Sequence, residues 1–231
     1  MRTTSRVKYI NRKIVVKFMR IKPIKSDGKL LSIPKTRIIA KLMADGCVSK
    51  TRNNYVIKYE VKDKESLEIF KQDMFIVYGL NMHRGFKPSG KTGEPIPFVK
   101  LLSKNVYYDL LRYGNYYSYN WRLPKQIKNA NKKIKIEFLK AFYDDEGSVI
   151  NYNTNIEVRL YSINKKGLLD LKSLIEKFGI NSRLVKGYGL KRNVYAIVIN
   201  KKNDIKLFSK IIGFNLERKQ EKLTKFINNN L

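Results

Sequence analysis

Two stretches of the chain repeat each other, IIAKLMADG at 38–46 and LKAFYDDEG at 139–147. Each reads as the last turns of an apolar helix, then an acid, then a glycine, then an extended run. The acids are Asp45 and Glu146, 101 residues apart, about the length of one small domain. Gly46 and Gly147 are expected to stop the helices, a place where glycine takes positive φ without strain. An acid in the last turn opposes the helix dipole by roughly 0.3–1 kcal/mol. Asp-Gly after a helix is ordinary turn chemistry when it occurs once; a penalty repeated at matching places points to function. Ala40 matches Ala141 and Ala44 matches Asp145. Ala40 and Ala44 lie four apart on one helix face, where small side chains let another helix come close. Two such helices side by side bring Asp45 and Glu146 together, and paired carboxylates suit a divalent metal. The motif acid is the residue immediately before each glycine, which makes Asp145 an interface residue and Asp144 a solvent-facing one.

The rest of the chain supports a duplication. The first motif helix is expected over 37–45, started by Pro34 and Thr36. Two strands follow between Cys47 and Val61, broken at Arg52-Asn53-Asn54, with Ile57, Tyr59 and Val61 on one face and Lys58 and Glu60 on the other. Asp63 is a candidate N-cap for a helix over 64–78. A hairpin over 81–103 carries the loop PSGKTGEP, and a helix spans 104–113. The second motif helix is expected over 134–146, followed by a hairpin turning near 151–155. Asn164 can cap a helix over 165–178 that stops at Gly179. Strands at 182–188 and 193–199 enclose GYGLK, and a helix at 201–212 closes the repeat. The order helix–strand–strand–helix–strand–strand–helix thus occurs twice, an α+β chain of two pseudo-symmetric αββαββα repeats with antiparallel sheets. The divisions are an N-terminal extension at 1–35 with a candidate hairpin, a first domain at 36–113, a linker at 114–133, a second domain at 134–213, and a polar, weakly packed helix or tail at 214–231. The linker is partly helical after Pro124, and Trp121 within it is read as structural.

A formal charge of +30 predicts an anionic partner, a phosphate backbone before any other. No stretch forms a dominant basic amphipathic helix, and no apolar run is long enough to span a bilayer. The single cysteine, Cys47, excludes an internal disulfide and a thiolate zinc cluster and fits a reducing cytosol. The single histidine, His83, excludes paired-histidine chemistry and reads as a surface strand residue. No targeting segment is read, so an intracellular, cytoplasmic location is expected. Basic residues on or beside the strands, namely Lys50, Arg52, Lys58, Arg84, Lys87, Lys91, Arg159, Arg183, Lys186 and Arg192, are the candidate DNA contacts. Some of these would read base edges and others only hold phosphates.

IIAKLMADG and LKAFYDDEG, with WRLP at 121–124, resemble the two motif copies of single-chain LAGLIDADG homing endonucleases, most closely the archaeal intron-encoded monomers. The resemblance covers roughly 36–213. Three positions depart from the usual pattern: Met43 in place of Asp, Lys41 in place of an apolar residue, and Asp145 in place of a small residue. The resemblance implies saddle-shaped sheets joined at a helix pair and laid over double-stranded DNA, with Asp45 and Glu146 holding Mg²⁺, or Mn²⁺ in its place. Backbone carbonyls beside them, at Ala44 and Asp145, would complete coordination. It further implies a monomer that cuts both strands across the minor groove to leave 3′ overhangs, with a basic residue near each active centre. Lys62, or a neighbouring polar position one residue away, falls at that place in the first half. No lysine matches in the second half, where Lys191 is the candidate. The alternative on the same fold is an intron RNA maturase or a non-cleaving DNA-binding protein.

Overall fold

The computed structural model describes residues 31–88, 93–152, 155–189 and 192–230. The expected N-terminal hairpin, Lys91 and Lys191 lie outside them. The first helix, α1 (Ile33–Ala44), starts earlier than expected because Ser32 caps it, its hydroxyl accepting from the Lys35 amide at 3.3 Å. Pro34 then sits in the first turn, where its missing N–H costs nothing. Asn131 caps the matching helix α5 (Lys132–Glu146) through the Ile134 amide at 3.0 Å.

Each helix opens one repeat. The first continues through β1 (Gly46–Thr51), β2 (Asn54–Glu60), α2 (Lys64–Tyr78), β3 (His83–Lys87), β4 (Ile96–Leu102) and α3 (Lys104–Leu111). A four-residue helix α4 (Lys125–Lys128) lies between the repeats. After α5 come β5 (Gly147–Tyr152), β6 (Asn155–Ser162), α6 (Lys165–Glu176), β7 (Arg183–Tyr188), β8 (Val194–Ile199) and α7 (Lys202–Ile211), and α8 (Glu217–Asn230) is appended. The sheets have the same order, β1-β2-β4-β3 and β5-β6-β8-β7, and are antiparallel throughout. The fold is therefore the expected α+β duplication. Asp63 and Asn164 act as N-caps in both repeats, accepting from Ser66 and Gly167 amides. Ile57, Tyr59, Ile156, Val158 and Leu160 are buried on the helix-facing sides of their sheets. No helix among the described residues is long and apolar enough to cross a membrane.

The two motif glycines do not do what was expected of them. Neither takes positive φ: Gly147 is extended at φ −89°, ψ 151°, and the residue capping α1 is Asp45 at φ −114°. The chain passes straight from helix into strand and brushes its own last turn. A Cβ on Gly46 would lie 2.5 Å from Leu42 Cα, and one on Gly147 would lie 2.4 Å from the Tyr143 carbonyl oxygen. Glycine is required by the close approach rather than by the dihedral angle.

Helices α1 and α5 pack against each other at the centre of a core shared by both repeats. Ala40 and Ala141 are fully buried. Beside them sit two of the departures from the family pattern, and they answer each other. Lys41 of α1 reaches Asp145 Oδ1 of α5 at 3.1 Å, both side chains completely buried. Tyr59 of β2 donates to the same oxygen at 2.7 Å and Ser66 of α2 at 3.0 Å. Nearer the start of α1, Arg37 holds Asp73 bidentately at 2.5 and 2.7 Å and reaches Glu137 of α5 at 3.2 Å. On the second repeat the position equivalent to Lys41 is Phe142, covered by Trp121 of the linker at a ring separation of 4.9 Å. Trp121 also presses on Gly167, where a Cβ would come within 2.4 Å of its ring. Arg122 clamps Asp170 at 2.6 and 2.8 Å. The linker is thus fastened to α6, as a structural role for Trp121 requires.

Removing one member of a buried pair leaves the other charged without compensation, a loss of about 3–5 kcal/mol. Asp145→Ala should therefore lower stability by about that amount in urea unfolding, whereas the double variant Lys41→Met/Asp145→Ala should recover most of it.

Candidate metal and nucleic-acid site

The helix pair sets the site. Asp45 caps the end of α1 and Glu146 is the last residue of α5. Both line one cleft of about 280 Å³, together with Ala44, Ser118, Trp121 and Tyr161. Asp45 keeps an open outer edge and Glu146 is half-buried, yet both carboxyls are crowded by protein. Desolvation, then the negative charge of Asp145, pushes Asp45 up to about 6. Desolvation, then the charges of Asp45 and Asp145, pushes Glu146 up to about 8. Three carboxylates are held near one another, and a second Asp145 oxygen, Oδ2, is buried with no hydrogen-bond partner among the described residues. Asp145 already has Lys41 as its cation, so a further cation would relieve chiefly Asp45 and Glu146.

The donors available fit a hard divalent ion. Among the described residues no three His, Cys, Asp or Glu side chains cluster as a metal-binding group. What remains is two carboxylates and helix-end carbonyls, an all-oxygen set that leaves coordination positions for water and phosphate. Ala44 and Asp145 adjoin the two acids and carry the carbonyls assigned to this role by resemblance.

Asp144 is not solvent-facing. It is buried, accepting from the Asn215 amide at 2.8 Å, the Asn215 side-chain amide at 2.9 Å and the Leu216 amide at 3.2 Å. It anchors the entry to α8, so the C-terminal segment is not loosely packed. Leu216 and Leu223 of that segment are buried. Between them Lys219 turns inward to the end of α5, where its ammonium donates to the carbonyls of Asp144, Gly147 at 2.6 Å and Tyr143 at 3.3 Å. Burial, then the neighbouring Arg218 charge, lowers Lys219 to about 8. The sequence does hold a signal for this docking. Leu216, Leu223 and Ile227 recur at helical spacing, and Lys219 lies within that apolar stripe. By contrast Lys62 is exposed at the β2–α2 junction. Its neighbour Asp63 is held by Arg218 of α8 at 2.7 Å.

Register sorts the basic strand residues by face, because directly opposed residues point the same way. Lys58 faces Lys100 across β2 and β4, and Lys100 faces His83 of β3. Arg159 and Arg183 flank Val198 in the second sheet. These lie on the sheet surfaces away from the helices. Each surface also holds one carboxylate bridged by two cations. Glu60 binds Lys58 and, at 3.0 Å, Lys87; Glu157 binds Arg159 at 2.6 Å and Arg183 at 3.3 Å. Three candidates lie on the opposite, helix-covered side. Lys50 opposes Tyr55 and sits over its ring, Arg84 opposes buried Val99 and pairs with Glu68 of α2, and Lys186 opposes Tyr195. Arg52 and Arg192 occupy hairpin turns with positive φ, 47° and 50°. Lys100 belongs to the open face and was missed by sequence reasoning, because alternation shows where a residue can point only once the register is known.

Residues 133–213 match the family described as a LAGLIDADG-like domain. An uncharacterised protein of Methanocaldococcus jannaschii is 32% identical over 65% of this chain and 59% of its own, so the chain spans under two thirds of that relative's length. Homing endonuclease I-ApeI of Aeropyrum pernix is 24% identical over 80% of this chain and 83% of its own. Among solved structures, variants of the homing endonuclease I-DmoI superpose with a TM-score of 0.59 at 16% identity, covering 84% of this chain and 97% of theirs. I-DmoI in complex with DNA and Mn superposes with a TM-score of 0.53 at 17% identity, covering 80% of this chain and 98% of that one. At these identities the structural likeness establishes the fold.

The raised carboxyls make stability depend on pH with a definite sign. A carboxyl whose folded pKa exceeds its unfolded value contributes stability fully present below the unfolded value, about 4.3 for Glu. That contribution is lost as pH rises through the folded value, here about 8 for Glu146. The metal-free protein should therefore lose urea resistance between pH 5 and 8.5. Glu146→Gln should flatten that slope, and a divalent ion should restore stability to the wild type chiefly at the alkaline end.

Proposed function

We propose that the chain is a site-specific double-strand DNA endonuclease of the homing type, a reading supported by its LAGLIDADG-like second repeat and by the fold it shares with homing endonucleases. The observation that carries the proposal is the meeting of Asp45 and Glu146 at the common end of α1 and α5, crowded enough to be held partly protonated until a cation arrives. A protein that only bound nucleic acid would gain nothing from this arrangement and would bear its cost. The relatives support the reading: one is named a homing endonuclease, and another of the same fold was crystallised with DNA and Mn.

In this reading the two sheets lie along the duplex with their helix-free faces inward. Lys58, Lys87, Lys100, Arg159 and Arg183 meet the DNA there, with β-strands in the major groove, where base pairs are distinguishable. The Glu60 and Glu157 bridges hold Lys58, Lys87, Arg159 and Arg183 at fixed positions before DNA arrives, which reduces the ordering cost of binding. The target is long and asymmetric, because the two repeats present different side chains at equivalent strands. Asp45 and Glu146 reach the backbone across the minor groove and serve one strand each, which would leave 3′ overhangs. Bound there, Mg²⁺, or Mn²⁺ in its place, would polarise the phosphoryl oxygens and lower the pKa of the attacking water. The carboxylates fix where that charge sits, and the cleft wall of Trp121 and Tyr161 limits the water that can enter. Lys62 lies near the first centre by sequence position and is the candidate basic residue there. The protein acts as a monomer, since one chain supplies both acids, and works in the cytoplasm where its DNA is.

A plasmid library carrying randomised targets, incubated with Mg²⁺, tests this directly. The wild type should cut discrete members at one long site. Asp45→Asn and Glu146→Gln should each abolish double-strand cutting while keeping salt-sensitive DNA binding. Tight binding without cutting in either Mg²⁺ or Mn²⁺ would overturn the endonuclease assignment and favour the binding-only or intron-RNA alternative.

A further inference from the structure

The appended helix α8 lies outside both repeats, yet its first turn is tied to each of them. Arg218 holds Asp63, the N-cap of α2 in the first repeat, at 2.7 Å. Lys219 closes on the end of α5 in the second, gathering the Tyr143, Asp144 and Gly147 carbonyls around one ammonium. The approach to α8 is itself held. Asp144 takes three hydrogen bonds from Asn215 and Leu216, and the Gln220 carboxamide oxygen accepts from the Phe214 amide at 2.9 Å. Phe214 packs edge-on against Tyr143 and Phe208. These contacts concentrate on the turn that ends in Glu146. A helix C-terminus leaves carbonyls without partners, and a cation is the favoured charge there. Lys219 supplies both needs at the end of α5, where Glu146 stands.

We propose that Lys219 is the positioning residue of the Glu146 centre, so that α8 completes that centre from outside the repeat. This rests on the endonuclease reading for its strand assignment. Lys219 spends its N–H groups on backbone carbonyls flanking Glu146. It therefore acts by fixing the last turn of α5 and the start of β5, between which the Glu146 side chain must project. Among the described residues no ammonium gathers the carbonyls at the end of α1, which ends in Asp45 itself, whose amide bonds the Lys41 carbonyl at 3.0 Å. Asp45 feels Lys219 only through its charge, so losing Lys219 should affect the strand served by Glu146 far more than the other.

Two measurements on the full chain separate positioning from general structure. With the target selected from the library, Lys219→Met should nick rather than cut. The strand served by Glu146 should slow about 10- to 100-fold, the range for loss of a partner that orients a metal ligand, and the other should slow far less. Lys219→Arg, which keeps charge and much of the buried stem, should show the same strand bias to a smaller degree. Equal slowing of both strands, or no change in either variant, would overturn the proposal. The second measurement needs no cleavage. In Ca²⁺ titrations read by the rise in melting temperature, Lys219→Met should bind about tenfold more weakly if Lys219 aims Glu146. Removing a cation that merely sits nearby would instead tighten Ca²⁺ binding, and that outcome would also overturn the proposal. A wild type that never cuts, combined with weakened Ca²⁺ binding in the variant, would sink the endonuclease reading and leave the positioning role standing.

Discussion

Everything at the working end of this protein depends on the contact between α1 and α5, and that contact is pinned by a buried charge pair. Small residues at Ala40 and Ala141 allow the helices to approach, but apolar contact alone tolerates a slip of one helix past the other. Lys41 and Asp145 do not. Sliding either helix by one turn would move it about 5.4 Å and strand a charge in the core, at a cost of several kcal/mol. Tyr59 and Ser66 converge on the same Asp145 oxygen and extend the constraint to the first sheet and α2. The pair adds little net stability compared with a hydrophobic substitute. Its effect is to fix register, and register is what sets Asp45 beside Glu146.

That placement is electrostatically unfavourable in the free protein. Desolvation and neighbouring anions push both acids toward the protonated form, so the fold gives up stability at neutral and alkaline pH to keep the two carboxyls together. Such a trade is common where activity needs groups that would rather be apart. Lys219 offsets part of it from α8, and Lys41 offsets part from within the interface, since both lower the Asp45 pKa. The positive open faces of the sheets serve a second purpose on the same frame. Glu60 and Glu157 already order Lys58, Lys87, Arg159 and Arg183 there, so in the proposed reading the surface offered to a phosphate backbone is built before binding.

The duplication was readable because its signals are local. Helical spacing, alternating strands and the caps Asp63 and Asn164 each depend on a few neighbouring residues, and the repeat of acid followed by glycine needed only comparison of two stretches. The departures Lys41 and Asp145 were visible as oddities, but their mutual pairing was not, because residues 104 apart meet only after the helices pack. The two motif glycines were placed correctly and explained wrongly. A φ angle cannot be read from the letter G, and the real constraint is the nearness of Leu42 and Tyr143. Asp144 and α8 were misjudged for one reason: a lysine-rich helix looks like a solvated tail until a buried carboxylate is found to anchor it. The register puts Lys50, Arg84 and Lys186 on the helix-covered sides of the sheets, which their charge and strand-end positions do not reveal in the sequence.

The most direct test of this account is the location of bound metal. Crystals of the protein with its cleaved or uncleaved target, grown with Mn²⁺ and measured at the manganese absorption edge, would show where the ions sit. Anomalous peaks should lie within direct coordination distance of the Asp45 and Glu146 carboxylates, at the α1–α5 end and against the DNA backbone. Peaks elsewhere, with both carboxylates unliganded and DNA in place, would contradict it.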